Sequence, residues 1–186
     1  VDDAKGLAVD GAGAAYVVGT TGSLDFPTVA GGLNIPSGSL DVFVAKLNAS
    51  GSGLLYTAFV SGDGSDYADG GLAVSSSGAV YVAGATNSTN FPTTAGAYQR
   101  VKRGGTDVFV FKLDPTGTTL QYSTLLGGSL TNSSGAAESF VYGGLAVDSS
   151  GTVYIVGNTN TVDFPTTAGA YQRVNRGGTD GFITKL

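Results

Sequence analysis

Three aspartates at Asp63, Asp66 and Asp69 form the cluster of the sequence that most resembles a metal site. Calcium binds several oxygen ligands, and neighbouring carboxylates supply them. The D-x-x-D-x-x-D spacing is not the alternating pattern of an EF-hand, however. Nor does the cluster recur when the internal repeats are aligned, since Val1 and Ser139 then occupy the position of Asp66. We therefore favour a solvated Gly-Asp-Ser turn and keep calcium binding as the alternative.

Basic side chains form a second candidate site, with Arg100, Lys102 and Arg103 in one loop and Arg173 and Arg176 in a closely similar loop. Arginine forks suit carboxylate or phosphate groups, so contact with an acidic glycan or an anionic surface is one hypothesis. The interpretation we favour is that each arginine braces its loop by pairing with the aspartate that closes the loop.

The residue inventory leaves little catalytic chemistry. The chain has no cysteine and no histidine, which excludes thiol nucleophiles, iron–sulfur ligation and the commonest general base and zinc ligand. Glu138 is the only glutamate, and the scattered aspartates define no acid–base pair. We predict that the protein is not an enzyme and needs no cofactor. A net charge of -5 also argues against nucleic-acid binding.

An internal repeat organises these residues. Residues 91–107 read FPTTAGAYQRVKRGGTD and residues 164–180 read FPTTAGAYQRVNRGGTD, so the two segments differ only where Lys102 is replaced by Asn175. The short motif GLAV occurs three times, at 6–9, 71–74 and 144–147. Repetition at such a period indicates a repeat architecture.

Each repeat predicts antiparallel strands in a fixed order. GLAV is followed by a turn that ends in glycine, by a run such as VYVAG, by the long Phe-Pro loop and by a run such as DVFVFKL. A fourth run follows at 54–60 and at 120–126 but has no counterpart in the third repeat. One tyrosine in each second run (Tyr16, Tyr81 and Tyr154) suits packing between repeats better than a sugar platform.

Four antiparallel strands per repeat, the first rich in small residues, are typical of a propeller blade. We predict an all-β fold, a β-propeller segment of three tandem four-stranded antiparallel blades at residues 1–62, 63–128 and 129–186. The first blade lacks a preceding strand, and the third lacks its fourth strand. Because propellers have about 4–8 blades, further blades of the same chain or other copies of it would complete the ring.

Several spaced motifs resemble the SBBP family, the seven-bladed β-propeller repeat of bacterial and archaeal surface proteins. They are LQYSTLLGG at 120–128, GLAVDSSGTVYIVGNT at 144–159, DFPTTAGAYQ at 163–172 and DGFITKL at 180–186. The resemblance covers nearly the whole chain and is weakest in the first repeat. It implies a propeller fold and an extracellular or cell-surface location, and it supplies no catalytic residues.

We therefore predict a non-catalytic extracellular β-propeller segment that serves as a structural scaffold or as a protein-interaction or adhesion module. Its expected partners are other proteins, further blades or copies of itself. No apolar run approaches the roughly 18 residues of a membrane span. One alternative is a carbohydrate-binding module that uses the long loops. A propeller-type hydrolase or lyase that uses aspartates is the least favoured.

Overall fold

The computed structural model describes residues 1–34, 36, 39–131 and 135–186, and its regular elements are all β-strands. This confirms the all-β prediction. The strands form three antiparallel sheets, which we call the first, middle and third sheets. The first sheet has the order β1-β2-β3-β4 and consists of β1 (Asp2–Val9), β2 (Ala15–Thr21), β3 (Asp41–Leu47) and β4 (Leu54–Val60).

The other two sheets repeat this arrangement with differences at their edges. The middle sheet contains β5 (Asp66–Tyr67), β6 (Leu72–Val74), β7 (Val80–Thr86), β8 (Asp107–Leu113) and β9 (Leu120–Leu126). The third sheet contains β10 (Ser139–Val147), β11 (Val153–Thr159) and β12 (Asp180–Lys185). The described part of the third sheet thus has three strands, and β12 lies at its edge.

The first strand of every sheet is irregular at its middle. The pairing of β1 with β2 shifts between Ala4 and Gly6, and that of β10 with β11 shifts between Val141 and Leu145. In the middle sheet the strand is interrupted outright, so that β5 and β6 pair separately with β7. The middle sheet therefore has five strands where four were predicted, because its first strand is divided near Gly71, which has a φ of +80°. The divided strand stays on β7, since the Gly70 N–H donates to the Ala83 carbonyl at 3.1 Å and the Ala83 N–H donates to the Gly71 carbonyl at 3.3 Å.

The hairpin turns form as the sequence predicts. Gly13, Gly78 and Gly151 close the turns between the first two strands of each repeat, and all three have positive φ values of 84°, 84° and 87°. The Asp10 carboxylate accepts hydrogen bonds from the N–H groups of Ala12 and Ala14, at 3.0 and 2.9 Å. These bonds satisfy turn donors that the strand ladder leaves unpaired.

Each sheet has two different faces. One carries Tyr16, Tyr81 or Tyr154, and we call it the tyrosine face; the other carries Phe43, Phe109 or Phe182, and we call it the phenylalanine face. The assignment follows from strand geometry, since successive side chains point to opposite sides of a sheet and paired residues share a side.

The sheets stack with unlike faces in contact. One buried cluster joins the tyrosine face of the first sheet to the phenylalanine face of the middle sheet, with Tyr16 and Val44 on one side and Phe109 and Phe111 on the other. A second cluster joins the tyrosine face of the middle sheet to the third sheet, where Ile155 is fully buried. The middle sheet is therefore covered on both sides.

Within the described residues, no helix is long and apolar enough to cross a membrane.

Candidate functional site

The first basic loop is built around a buried glutamine. Gln99 is 4% exposed, and its Nε2 donates to the Asp107 carboxylate at 2.6 Å and to the Val101 carbonyl at 2.9 Å. Its Oε1 accepts a hydrogen bond from the Gly127 N–H at 3.1 Å. One side chain thus ties the loop to the start of β8 and to the end of β9. Residue types alone did not single out Gln99, although it recurs as Gln172 in the near-identical segment.

The charged residues of this loop have two different roles. The Lys102 Nζ donates to the carbonyls of Gly104 and Gly105, at 2.7 and 3.0 Å, and so holds the loop closed. Arg100 and Arg103 have exposed side chains, and neither guanidinium forms an ion pair with a described residue. The lysine braces the loop, whereas the two guanidinium groups face solvent.

The sequence predicted that arginine side chains brace the loops by pairing with aspartates, and this prediction was wrong about which atoms donate. The Asp107 carboxylate accepts hydrogen bonds from the backbone N–H of Arg103 at 2.8 Å and of Gly104 at 3.0 Å, and not from a guanidinium. Asp180 is held in the same way by the N–H of Arg176 at 2.9 Å. Backbone donors suffice because the loop turns tightly around the carboxylate, which leaves the arginine side chains outside.

The second basic loop has the same bonds in a more exposed setting. Gln172 Nε2 donates to Asp180 at 2.9 Å and to the Val174 carbonyl at 3.1 Å. Asn175, which replaces Lys102, donates to the Thr159 carbonyl at 3.3 Å. Arg173 and Arg176 are exposed, like their counterparts. Whether either basic loop binds an anion stays a prediction.

The three clustered aspartates are bound by different parts of the chain. Asp63 accepts hydrogen bonds from the N–H and the hydroxyl of Thr89, at 2.7 and 2.5 Å, and the hydroxyl bond is the main cause of its lowered pKa. Asp69 forms an ion pair with Lys5 at 3.4 Å. In the described part of the chain, no three acidic residues come close enough together to hold a metal ion. Calcium binding at these residues stays a prediction.

Asp66 is fully buried and is the most unusual of the three. Burial raises its pKa, although hydrogen bonds from Thr86, Gly62 and Ser88 oppose the shift. The Ser88 hydroxyl lies 2.9 and 3.0 Å from the two carboxylate oxygens, and the Gly62 N–H donates at 2.7 Å. The carboxylate anchors the loop after β4 to the loop after β7.

The position of Asp66 does recur, contrary to the alignment of the sequence. Asp66 pairs with Thr86, as Asp2 pairs with Thr21 and Ser139 with Thr159. The stretch of β1 from Asp2 to Gly6 is one residue shorter than the stretch from Asp66 to Gly71, so the count shifts by one and Asp2, and not Val1, is the equivalent residue. The recurring side chain bonds the threonine opposite it, through the Thr21 hydroxyl in the first sheet and at 2.9 Å in the third. This recurrence indicates a structural role.

A shallow groove that sequence reasoning missed lies on the third sheet. Its volume is about 190 Å³, and the rings of Phe140 and Tyr142 stack in its wall with centroids 5.7 Å apart. The remaining lining residues are polar, namely Glu138, Asn158, Thr159, Asn160 and Thr179. Stacked aromatic rings beside amide and carboxylate groups can bind a sugar ring through one face and its hydroxyls through the rim.

The two outer faces of the stack carry exposed apolar side chains. On the tyrosine face of the third sheet, Ile183 is 80% exposed, whereas the equivalent Val110 of the middle sheet is 1% exposed. On the phenylalanine face of the first sheet, Leu7 and Val9 are 68% and 61% exposed. Their equivalents in the middle sheet pack against the core, so the exposed positions of these faces resemble inner ones in residue type and differ in cover. The rest of the phenylalanine face of the first sheet is covered, since Phe43, Ala45 and Phe59 are buried beside Phe26.

No protein-family model matches the chain, and no curated protein sequence matches it.

Proposed function

We propose that the chain is a non-catalytic β-propeller segment that serves, outside the cell or on its surface, as a structural scaffold or protein-interaction module. The observation that carries the proposal is the repeated stacking of tyrosine face on phenylalanine face, which leaves one apolar face open at each end of the stack. Contiguous exposed apolar surface on a folded protein marks a site of contact.

The propeller part of the proposal rests on the order of the elements. Residues 1–62, 63–128 and 129–186 would each be one blade, because each contains an antiparallel sheet whose strands follow one another along the chain. The likeness of the motifs to the SBBP repeat supports the same interpretation and the surface location.

The proposed absence of catalysis is supported by how the buried carboxylates are used. Asp66 and Asp107 each accept hydrogen bonds from the chain itself, and these bonds hold loops in place. A panel of polysaccharide hydrolase and lyase substrates tests this part. We expect no turnover, and an activity that Asp107→Asn abolishes without unfolding the chain would contradict it.

The interaction part is tested by cross-linking. A photoreactive amino acid placed at Ile183 on the open face is expected to form a covalent adduct with a protein in the cells that produce the chain. The matched control carries the same group at Thr116, an exposed turn residue away from both open faces. If position 183 yields no more adduct than position 116, the proposal fails.

A carbohydrate-binding module is the second candidate, and the groove of the third sheet favours it. Phe140 and Tyr142 offer stacked rings, and the Asn158 amide lies in the same lining. A glycan array separates two versions of this function. Binding lost in Tyr142→Ala assigns the groove, binding lost in Arg100→Ala combined with Arg173→Ala assigns the basic loops, and a blank array rejects both.

A further inference from the structure

The chain contains the same sheet-to-sheet contact twice. The Tyr16 hydroxyl of the first sheet reaches the Gly78 turn of the middle sheet, where a Cβ added to the glycine would lie 3.6 Å from the oxygen. The Tyr81 hydroxyl reaches the Gly151 turn of the third sheet in the same way, at 3.1 Å. Both contacts place a tyrosine hydroxyl beside a turn glycine at positive φ.

Backbone hydrogen bonds recur at the same contact. The Asp66 N–H donates to the Leu40 carbonyl at 2.9 Å, and the Ser139 N–H donates to the Thr106 carbonyl at 2.9 Å. These bonds fix the register of one sheet on the next at one end of the interface. The contact between two sheets therefore has three parts: packed apolar faces, a tyrosine hydroxyl at the glycine turn of the next sheet, and a backbone hydrogen bond.

The open tyrosine face of the third sheet has the groups for one more such contact. Tyr154 is 36% exposed, and the Lys185 Nζ lies over its ring at 5.5 Å, as Lys112 lies over Tyr81 at 5.2 Å. Val156 and Ile183 stand where Ala83 and Val110 are buried in the middle sheet.

The open phenylalanine face of the first sheet has the complementary groups. Leu7 and Val9 stand in the places of Leu72 and Val74, which pack against the neighbouring sheet. The Gly13 turn has the same φ of 84° as the Gly78 turn that receives Tyr16. Gly13 has no Cβ, so a tyrosine from a neighbouring sheet could approach this turn without a clash.

We propose that the tyrosine face of the third sheet binds the phenylalanine face of the first sheet in a second copy of this chain. The proposal rests on the proposed function as an interaction module and names its partner. The contact is head to tail, with Tyr154 of one copy at the Gly13 turn of the next. Such a heterologous interface generates closed rings or open fibres, and not a two-fold dimer.

The repeated interface indicates that the partner is a second copy of this chain. The two contacts inside the chain join the same pair of faces, and the open ends present that pair with the same turn, tyrosine and lysine. In a head-to-tail pair the two open faces cover each other, which removes Leu7, Val9, Val156 and Ile183 from water together.

Two complementary variants of the 186-residue chain test the proposal by sedimentation. The wild type is expected to form multiples of 18.5 kDa as its concentration rises from micromolar to millimolar. Ile183→Lys blocks one face and Leu7→Lys blocks the other, so each variant alone is expected to stay monomeric. An equimolar mixture is expected to give a 1:1 dimer and nothing larger, because each variant keeps one intact face.

Controls separate loss of contact from loss of fold. Both substituted side chains are exposed, so circular dichroism and thermal unfolding are expected to match the wild type; Val156→Lys replaces Ile183→Lys if they do not. Val101→Lys, which changes a residue 71% exposed on the middle sheet's loop, is expected to associate like the wild type.

A wild type that stays monomeric at every concentration overturns the proposal, as does a mixture that fails to pair. This failure is distinguishable from failure of the proposed function. A monomeric chain whose position 183 still cross-links to a different protein keeps the interaction module and rejects the second copy. A chain that does neither rejects both.

Discussion

At the residue scale, Asp66 is a carboxylate held where water does not reach it. Its pKa is raised by burial above the ordinary value of 3.8, and the hydrogen bonds from Thr86, Gly62 and Ser88 only partly compensate. The folded state therefore binds this proton more tightly than the unfolded state does. The charged carboxylate therefore lowers the stability of the fold, although it keeps the hydrogen bonds that anchor the two loops.

This gives the first prediction, for Asp66→Asn. The wild type is expected to lose unfolding free energy relative to the variant as pH rises from below 3.8 through the raised pKa of Asp66, because the folded state holds the extra proton in that window. Chemical denaturation of both proteins across this pH range measures the difference. A difference that does not change with pH would contradict the assignment.

Asp148 provides the matched control with the opposite sign. Its carboxylate accepts hydrogen bonds from the Ser150 hydroxyl first and then from turn N–H groups, which lower its pKa to about 2. The wild type should therefore gain stability over Asp148→Asn as pH rises from about 2 to 3.8. Opposite slopes for the two variants would show that burial, and not net charge, determines the behaviour of Asp66.

At the element scale, each central strand contains a glycine beneath a pair of phenylalanine rings. In the middle sheet, Phe91 stacks on Phe109 with centroids 4.7 Å apart, and a Cβ on Gly84 would lie 2.5 Å from the Phe109 ring. It would also overlap the Tyr67 carbonyl oxygen. The glycine lets β5, β7 and the phenylalanine pair approach closely.

The second prediction is that Gly84→Ala destabilises the chain by about 1–3 kcal/mol or more, because the added methyl meets both backbone and a packed ring. Gly96→Ala is the control, since nothing lies within 4 Å of its Cβ position and its φ is not positive. We expect the control to change the stability by less than about 0.5 kcal/mol. Equal unfolding midpoints for the two variants would refute the tight contact.

The third prediction compares the two glutamines of the near-identical loops. Gln99→Leu removes one hydrogen bond of the buried Asp107 carboxylate, which keeps those from the N–H groups of Arg103 and Gly104, and it takes away the partner of the buried Gly127 N–H. Leaving a buried donor unsatisfied costs about 1–3 kcal/mol. Gln172→Leu removes the same bond to Asp180 at an exposed site, where water replaces it. We expect a change below about 0.5 kcal/mol there. Denaturant unfolding of both variants measures the contrast, and equal losses would contradict it.

The sequence was sufficient for the strands and turns but not for their irregularities. Runs such as VYVAG and DVFVFKL combine β-branched and aromatic residues, and turn glycines recur, so strands and hairpins followed from local preferences. The shorter irregular part of β1 and the break after Tyr67 did not follow, because they depend on the neighbouring strand. This is why Asp2 was not recognised as the equivalent of Asp66.

The candidate sites were harder to predict than the strands. Residue types identified the arginine and aspartate clusters, but hydrogen bonding within the chain decided what each side chain does. The groove between Phe140 and Asn158 was missed because its residues are distant in sequence. The sequence did show that Ile183 is the equivalent of Val44 and Val110 in the other repeats. Only the stacking of the sheets shows that Ile183 is the exposed one of the three.

At the scale of the whole molecule, one kind of contact builds the chain. The middle sheet is covered on both faces, whereas the third sheet keeps its tyrosine face open and the first sheet keeps its phenylalanine face open along β1, at Leu7 and Val9. We expect local unfolding to be easiest where a sheet face is exposed, because buried apolar contacts determine the free energy at which a segment unfolds. The stack should therefore be most stable at its centre.

Hydrogen–deuterium exchange of the dilute chain measures which faces of the stack are covered. We predict slowest exchange in β7 and β8 of the middle sheet and faster exchange in β11 and β12, with β12 fastest because it is an edge strand on an open face. Raising the concentration should slow exchange in β11 and β12 as copies cover that face. Protection in β12 equal to that in β8 in the dilute chain would contradict the open-ended stack.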